Sequence, residues 1–178
     1  WYTSNKLTSD ANGIAISDGT HRFVIALKDV SDERYCWGGR GVTIPDLSSG
    51  FAGYENTLKI IEAVTGSDGY YTSSPYSAAA VTHNYVFPNG ELGFLGSNSE
   101  WQLVLDYLDQ IEVLLAAAGG DSLIKTYSYT YWTSYSPDES RAYCVHCYRS
   151  STDGTVRTKL ESNRYRQDKA DLRPFHNF

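Results

Sequence analysis

Three cysteines, Cys36, Cys144 and Cys147, and four histidines, His21, His83, His146 and His176, are the side chains best suited to act as nucleophiles, bases or metal ligands. They meet in sequence at Cys144-Val145-His146-Cys147, which has the Cys-x-x-Cys spacing of redox pairs and zinc sites. Both uses need the two sulfurs to converge, and residues three apart on a strand point to opposite faces. The run therefore reads as a strand carrying one thiol on each side, and no metal or cofactor is expected. Cys36, beside Trp37, reads as a small buried residue and not as a nucleophile. With an odd number of cysteines one thiol is always left over, so disulfides are not expected to hold the fold.

The remaining candidates are weaker. His21, His83 and His176 have no neighbouring ligand pattern. The pairs Asp106/Asp109 and Asp138/Glu139 have the composition of an acid and a base, but their surroundings read as a solvated helix face and a loop tip. No Ser-His-Asp order, phosphate loop or dinucleotide fingerprint stands out. The sequence therefore points away from an enzyme.

The elements that would position these residues follow from periodicity. Gly13–Ile16 and Phe23–Leu27 are short apolar runs around the turn Ser17-Asp18-Gly19, which predicts a hairpin. Residues 36–53 read as loop, with Gly38, Gly39, Gly41, Pro45 and Gly50. Asn56 is placed to cap a short helix over Asn56–Val64 that ends near Gly66, and a second short helix fits Ser77–Asn84. Ser97 and Glu100 have capping-box spacing, and Trp101, Val104, Leu105, Leu108, Ile111 and Leu115 follow at intervals of three or four. They predict one amphipathic helix over Ser97–Ala117. Strands are then expected at Thr126–Tyr135, Arg141–Tyr148, Thr155–Leu160 and Asp171–Phe178, with Asp153-Gly154 as a turn. Helices clustered between β-rich ends give an α+β fold, two principal helices against a mostly antiparallel sheet, in one domain over residues 1–178.

Composition adds a direction. Fifteen tyrosines and four tryptophans against six phenylalanines favour rigid aromatic surface with polar tips. The net charge of −6 argues against a general nucleic-acid binder. Its distribution is uneven: residues 141–178 hold eight Lys/Arg and four Asp/Glu, leaving seven and seventeen for residues 1–140, so a basic segment (+4) sits on an acidic body (−10). No apolar run approaches a membrane span, so no membrane insertion is expected.

The chain resembles a family of bacterial and phage domains with the C-type-lectin fold. That family includes the carboxy-terminal domain of the Legionella collagen-like adhesin and the variable proteins of diversity-generating retroelements. The resemblance rests on the order of Trp37-Gly38-Gly39, Gly53-Tyr54-Glu55-Asn56-Thr57, Ser99-Glu100-Trp101-Gln102-Leu103, Ala116 to Gly120, and Tyr131-Trp132-Thr133-Ser134. It continues through Ala142 to Cys147, Asp153-Gly154-Thr155-Val156 and Leu172 to Phe178. Two departures stand out: Gly96 where relatives have proline, and Ala142-Tyr143-Cys144-Val145-His146-Cys147 where they read like Ala-Trp-Tyr-Val-Asn-Phe. The Glu-Pro-Asn, Gln-Pro-Asp and Trp-Asn-Asp motifs of calcium-dependent sugar binding do not occur. Formylglycine-generating enzymes share this fold and supply the alternative reading, as does a bacterial adhesin that is not diversified.

The resemblance implies a ligand- or receptor-binding module, extracellular or on a cell or virion surface, whose partner is a cell-surface protein or glycan. It also implies a changeable surface over about 130–178, since adenine mutagenesis of asparagine codons yields the Tyr, His, Cys, Ser, Asp and Arg that abound there. The expected contact residues are Tyr135, Arg141, Cys144, His146, Arg149, Arg157, Tyr165, Arg166 and Asp168, displayed by the last four strands. With Val145 inward, period-two geometry puts Tyr143 and Cys147 inside with it and Cys144, His146 and Tyr148 outside. Trp101, Trp132, Val145, Val156, Leu172, Pro174 and Phe178 are expected as scaffold. On this phase Cys144→Ser, His146→Ala and Arg157→Ala should each change stability by no more than about 0.5 kcal/mol.

Overall fold

A computed structural model describes residues 11–64, 77–125 and 130–178. The expected helix end near Gly66 and the start of the strand at Thr126 lie outside the described residues. The fold is mixed α+β, and every pairing between its strands is antiparallel.

The predicted hairpin forms from β1 (Ile14–Ser17) and β2 (Arg22–Ile25), paired from Ile14↔Ile25 to Ser17↔Arg22. Asp18 closes its turn by accepting from the backbone of Thr20 and His21, which holds its carboxyl at about 2. The last strand does not join the neighbouring carboxy-terminal strands, as the sequence reading had it. With β3 (Tyr35–Cys36) and β4 (Phe94–Leu95) numbered in chain order, β9 (Pro174–Asn177) lies between β2 and β4 in a sheet ordered β1-β2-β9-β4. Two side chains take it there. Phe175 is fully buried against Phe23, Phe94 and Trp101. Arg173 is also buried, donates to the carbonyls of Ala26, Leu27 and Asp121, and forms an ion pair with Asp29 at 2.9 Å. Phe178, expected in the scaffold, is 68% exposed, because the strand has already left the core at Asn177.

The helices depart from expectation at their ends. α1 spans Gly53–Val64, three residues earlier than Asn56. Asn56 is buried in its second turn and does not cap it; its side chain accepts from Ser48 N and donates to Ser48 O and Ser134 Oγ, fastening a loop to the helix. α2 (Ala78–His83) has the expected Ser77 and Asn84 at its ends. The long helix is two, α3 (Asn98–Asp106) and α4 (Leu108–Ala117), broken where Tyr107 leaves helical geometry at φ −113° and ψ 19°. The break loses no burial, since Trp101 and Val104 before it and Leu108, Ile111 and Leu115 after it enter one core cluster.

The capping box is present. Ser97 accepts from Glu100 N, and Glu100 Oε2 accepts from Ser97 N at 2.6 Å. Gly53 explains how Glu100 fits, because a Cβ there would lie 2.3 Å from its Oε2 and 2.7 Å from Leu95 O. Gly96 has the ring of Phe175 only 2.7 Å from where its Cβ would be. Burial raises the Glu100 carboxyl to about 7, against the opposing pull of the Ser97 and Gly53 hydrogen bonds. A folded value above the unfolded one means that the folded chain holds a proton the unfolded chain has lost. Stability should therefore fall as pH rises from about 4.5 to about 7 and be flat in this component above that. Urea midpoints across this range should decline in the native chain. They should decline less in Glu100→Gln, which keeps the acceptor without the titration.

The third sheet is β5 (Thr130–Trp132), β6 (Arg141–Arg149) and β7 (Val156–Tyr165), in that order. A further pair joins β3 to β8 (Lys169–Ala170). Val145 and Cys147 face the cluster around Trp101, as the phase predicted. Cys144 is not on the surface; it is 0% exposed in a second cluster with Trp37, Ile60, Trp132 and Leu172. The phase is right and the exposure wrong, because this core covers the Ala142–Cys144 end of the opposite face and leaves the His146–Tyr148 end open. Tyr143, expected inside, is half-buried at a β-bulge between Ala142 and Cys144, with its ring 5.4 Å from that of Tyr135. Cys144→Ser is therefore expected to cost about 1 to 3 kcal/mol, not less than 0.5, since it places a hydroxyl in an apolar cluster. Denaturant midpoints of the two chains would check it.

Candidate functional site

The loop end of the β6–β7 hairpin carries a hollow on its uncovered face. Antiparallel register sets His146 opposite Lys159 and Tyr148 opposite Arg157, so these four side chains share a face. Together with Thr158 and Glu161 they line a shallow hollow of about 390 Å³. The loop between the strands is held by Ser150 N to Thr155 O and Gly154 N to Ser150 O, with Gly154 at φ 70°. Asp153 accepts from Thr155 and pairs with Arg157 at 3.0 Å, and these contacts keep its carboxyl below the usual range.

Inside the hollow, His146 Nε2 lies 2.9 Å from Glu161 Oε1 and 3.5 Å from Cys144 Sγ, and Lys159 Nζ contacts the other oxygen of Glu161. Cysteine, histidine and glutamate thus meet, but not as a proton relay. A relay uses one ring nitrogen toward the nucleophile and the other toward the acid, whereas one nitrogen here faces both. Burial also raises the Cys144 thiol to about 12, and Cys147 likewise, so neither is a thiolate at neutral pH. The two sulfurs sit in different core clusters on opposite faces. No group of three His, Cys, Asp or Glu side chains able to hold a metal occurs among the described residues. Cys36, only partly buried, donates its thiol to Gln167 O. In a thiol titration of the native chain Cys36 should react first, and Cys144 and Cys147 only on unfolding; rapid labelling of Cys144 would contradict its placement.

The other expected contact residues divide. Arg157 is exposed and lines the hollow, and Arg149 is exposed near the hairpin loop and donates to Gly154 O. Arg141 and Tyr165 pair at the far end of the hairpin, with the guanidinium 5.5 Å from the ring centre and Arg40 over the same ring at 6.0 Å. That end is some seven residues along β6 from Tyr148, about 23 Å at strand rise. The structure thus offers two exposed patches and not one. Tyr135 is half-buried against Tyr143, and Asp168 is half-buried in a turn, accepting from Tyr165 N. Arg166 is a correction: it is 2% exposed, bonded to Gly39 O, Val42 O and Ser136 Oγ and stacked over Trp37, and so displays nothing. Val156, expected as scaffold, is 36% exposed next to the hairpin loop.

The chain matches no family model, no curated protein and no solved structure. The geometry of the face therefore carries the functional reading. Sequence reasoning missed Lys159 and Glu161. Period-two alternation from Arg157 would have placed both on its face.

Proposed function

We propose that this chain is a non-catalytic binding module that uses the β6–β7 hairpin to recognise a receptor protein or glycan, outside the cell or on a virion. The observation that carries the reading is the hollow formed by His146, Tyr148, Arg157, Lys159 and Glu161 on strands whose opposite face is anchored by Val145 and Cys147. Tyrosine and arginine provide much of the energy at interfaces, and a face fixed by a separate core tolerates exchange of its outward residues. The lectin-type fold and the retroelement-diversified surface belong to the same proposal. They are supported by the sequence resemblance and by the run of exposed side chains from Ser151 to Lys159.

Sister sequences from the same locus test it. Diversification predicts substitutions concentrated in adenine-bearing codons of outward positions such as His146, Tyr148, Arg157 and Lys159, with Trp132, Val145 and Leu172 constant. Changes spread evenly over core and surface would sink it. Once a receptor is identified, Arg157→Ala should leave the melting curve within about 0.5 kcal/mol of the native chain. It should weaken binding by roughly 1 kcal/mol or more if it is a hot spot.

A further inference from the structure

A second hollow, of about 210 Å³, lies away from the hairpin, where the start of α1, the end of α2, the turn before β4 and the end of β9 meet. Its size suits one long side chain and is below that of drug-sized pockets. The polar side chains that line it are those of Tyr54, His83, Glu91 and Asn177. Glu91 has no side-chain hydrogen bond or ion pair with any described residue, and it stands on a tight turn with Gly90 at φ 87°. His83 Nδ1 lies 3.0 Å from Gly93 O, and since a carbonyl only accepts, Nδ1 is the donor there. Asn177 adds a side-chain amide, and Tyr54 a ring that is 37% exposed.

A carboxylate without a side-chain partner beside an aromatic face suits a ligand that is positively charged and rich in donors. A guanidinium has five donors, no acceptor and affinity for ring faces. Part of the rim is apolar. Leu92 and Val86 pair across the turn, Phe178 follows Asn177, and Arg22 links Phe178 to the stacked His21 and Phe51. Of the ten exposed large apolar side chains of the described residues, Tyr54 and Leu92 line this hollow and Val86 pairs with Leu92, and exposed apolar surface of this kind is typical of protein interfaces. The net −10 of residues 1–140 favours a basic partner in the same direction.

We propose that this hollow takes an arginine side chain of a protein partner other than this chain, whose flanking apolar residues cover the rim. The site is independent of the hairpin face. Titrating the ¹⁵N-labelled chain with acetyl-Leu-Arg-Leu-amide should shift the amides of Tyr54, Gly90 to Leu92 and Asn177, saturably. The citrulline peptide, and Glu91→Gln with the arginine peptide, should each bind at least about threefold more weakly. Glu91 is exposed, so the variant's remaining spectrum should be unchanged and serves as the folding control. Absent shifts, shifts elsewhere, or equal affinity for the two peptides would overturn the proposal. So would a methyl glycoside moving the same amides in place of the peptide, or their concentration-dependent broadening through self-association.

Discussion

Trp132→Ala should lower the stability of this chain by about 3 to 5 kcal/mol, the range for truncating a large buried aromatic residue. The ring is 1% exposed and packs in the cluster with Trp37, Cys144 and Leu172. Its Nε1 donates to Tyr35 O at 2.7 Å, so the variant also leaves a carbonyl short of its donor. Trp132 stands at the junction of three elements: it pairs with Cys144 on β6, its backbone meets Asp171, and its side chain reaches β3. Collapse of one wall onto the cavity would therefore disturb the other two. For a chain of this size the loss corresponds to a fall in Tm of about 6 to 20 °C. An unchanged melting curve would remove Trp132 from the core and with it the account of why Cys144 is buried.

Much of the framework was legible because local chemistry decides it. The Ser97/Glu100 capping box and the Ser17-Asp18-Gly19 turn specify their own conformation and formed, and the apolar spacing from Trp101 to Leu115 gave a buried helical face, though on two helices broken at Tyr107 and not on one. What could not be read depends on contacts distant in sequence. Period two assigned Cys144 to the face opposite Val145, but covering that face takes Trp37 and Ile60, more than eighty residues earlier. Phe178 and β9 look like the end of a carboxy-terminal sheet until Phe175 finds Phe23 and Phe94. The binding list suffered in the same way: display on the last four strands placed Arg157 and Arg166 together, and burial separates them. Strand alternation could have found Lys159, whereas nothing local distinguishes a displayed arginine from one that holds a loop.

Replacing Arg166 tests that distinction. Its guanidinium donates from Nη1 to Gly39 O at 2.6 Å and Val42 O at 2.7 Å, and from Nε and Nη2 to Ser136 Oγ at 3.0 and 2.9 Å. The ring of Trp37 lies 4.5 Å beneath it. Burial pulls its pKa down to about 10, and the charges of Asp138 and Glu139 oppose that shift, so it stays charged at neutral pH. Arg166→Ala would leave these acceptors buried without their donors, at about 1 to 3 kcal/mol each, and would uncover the face of Trp37. The expected loss is about 3 kcal/mol or more, against no more than about 0.5 for the exposed Arg157→Ala. Arg166→Lys should recover only part of it, because a single ammonium cannot reproduce a planar fork that serves three acceptors at once. Urea midpoints of the three variants, measured with the native chain, give the comparison. If Arg166→Ala melted with the native chain and lost only receptor binding, Arg166 would be a contact residue after all, and the loop from Gly39 to Val42 would have to be held by something else.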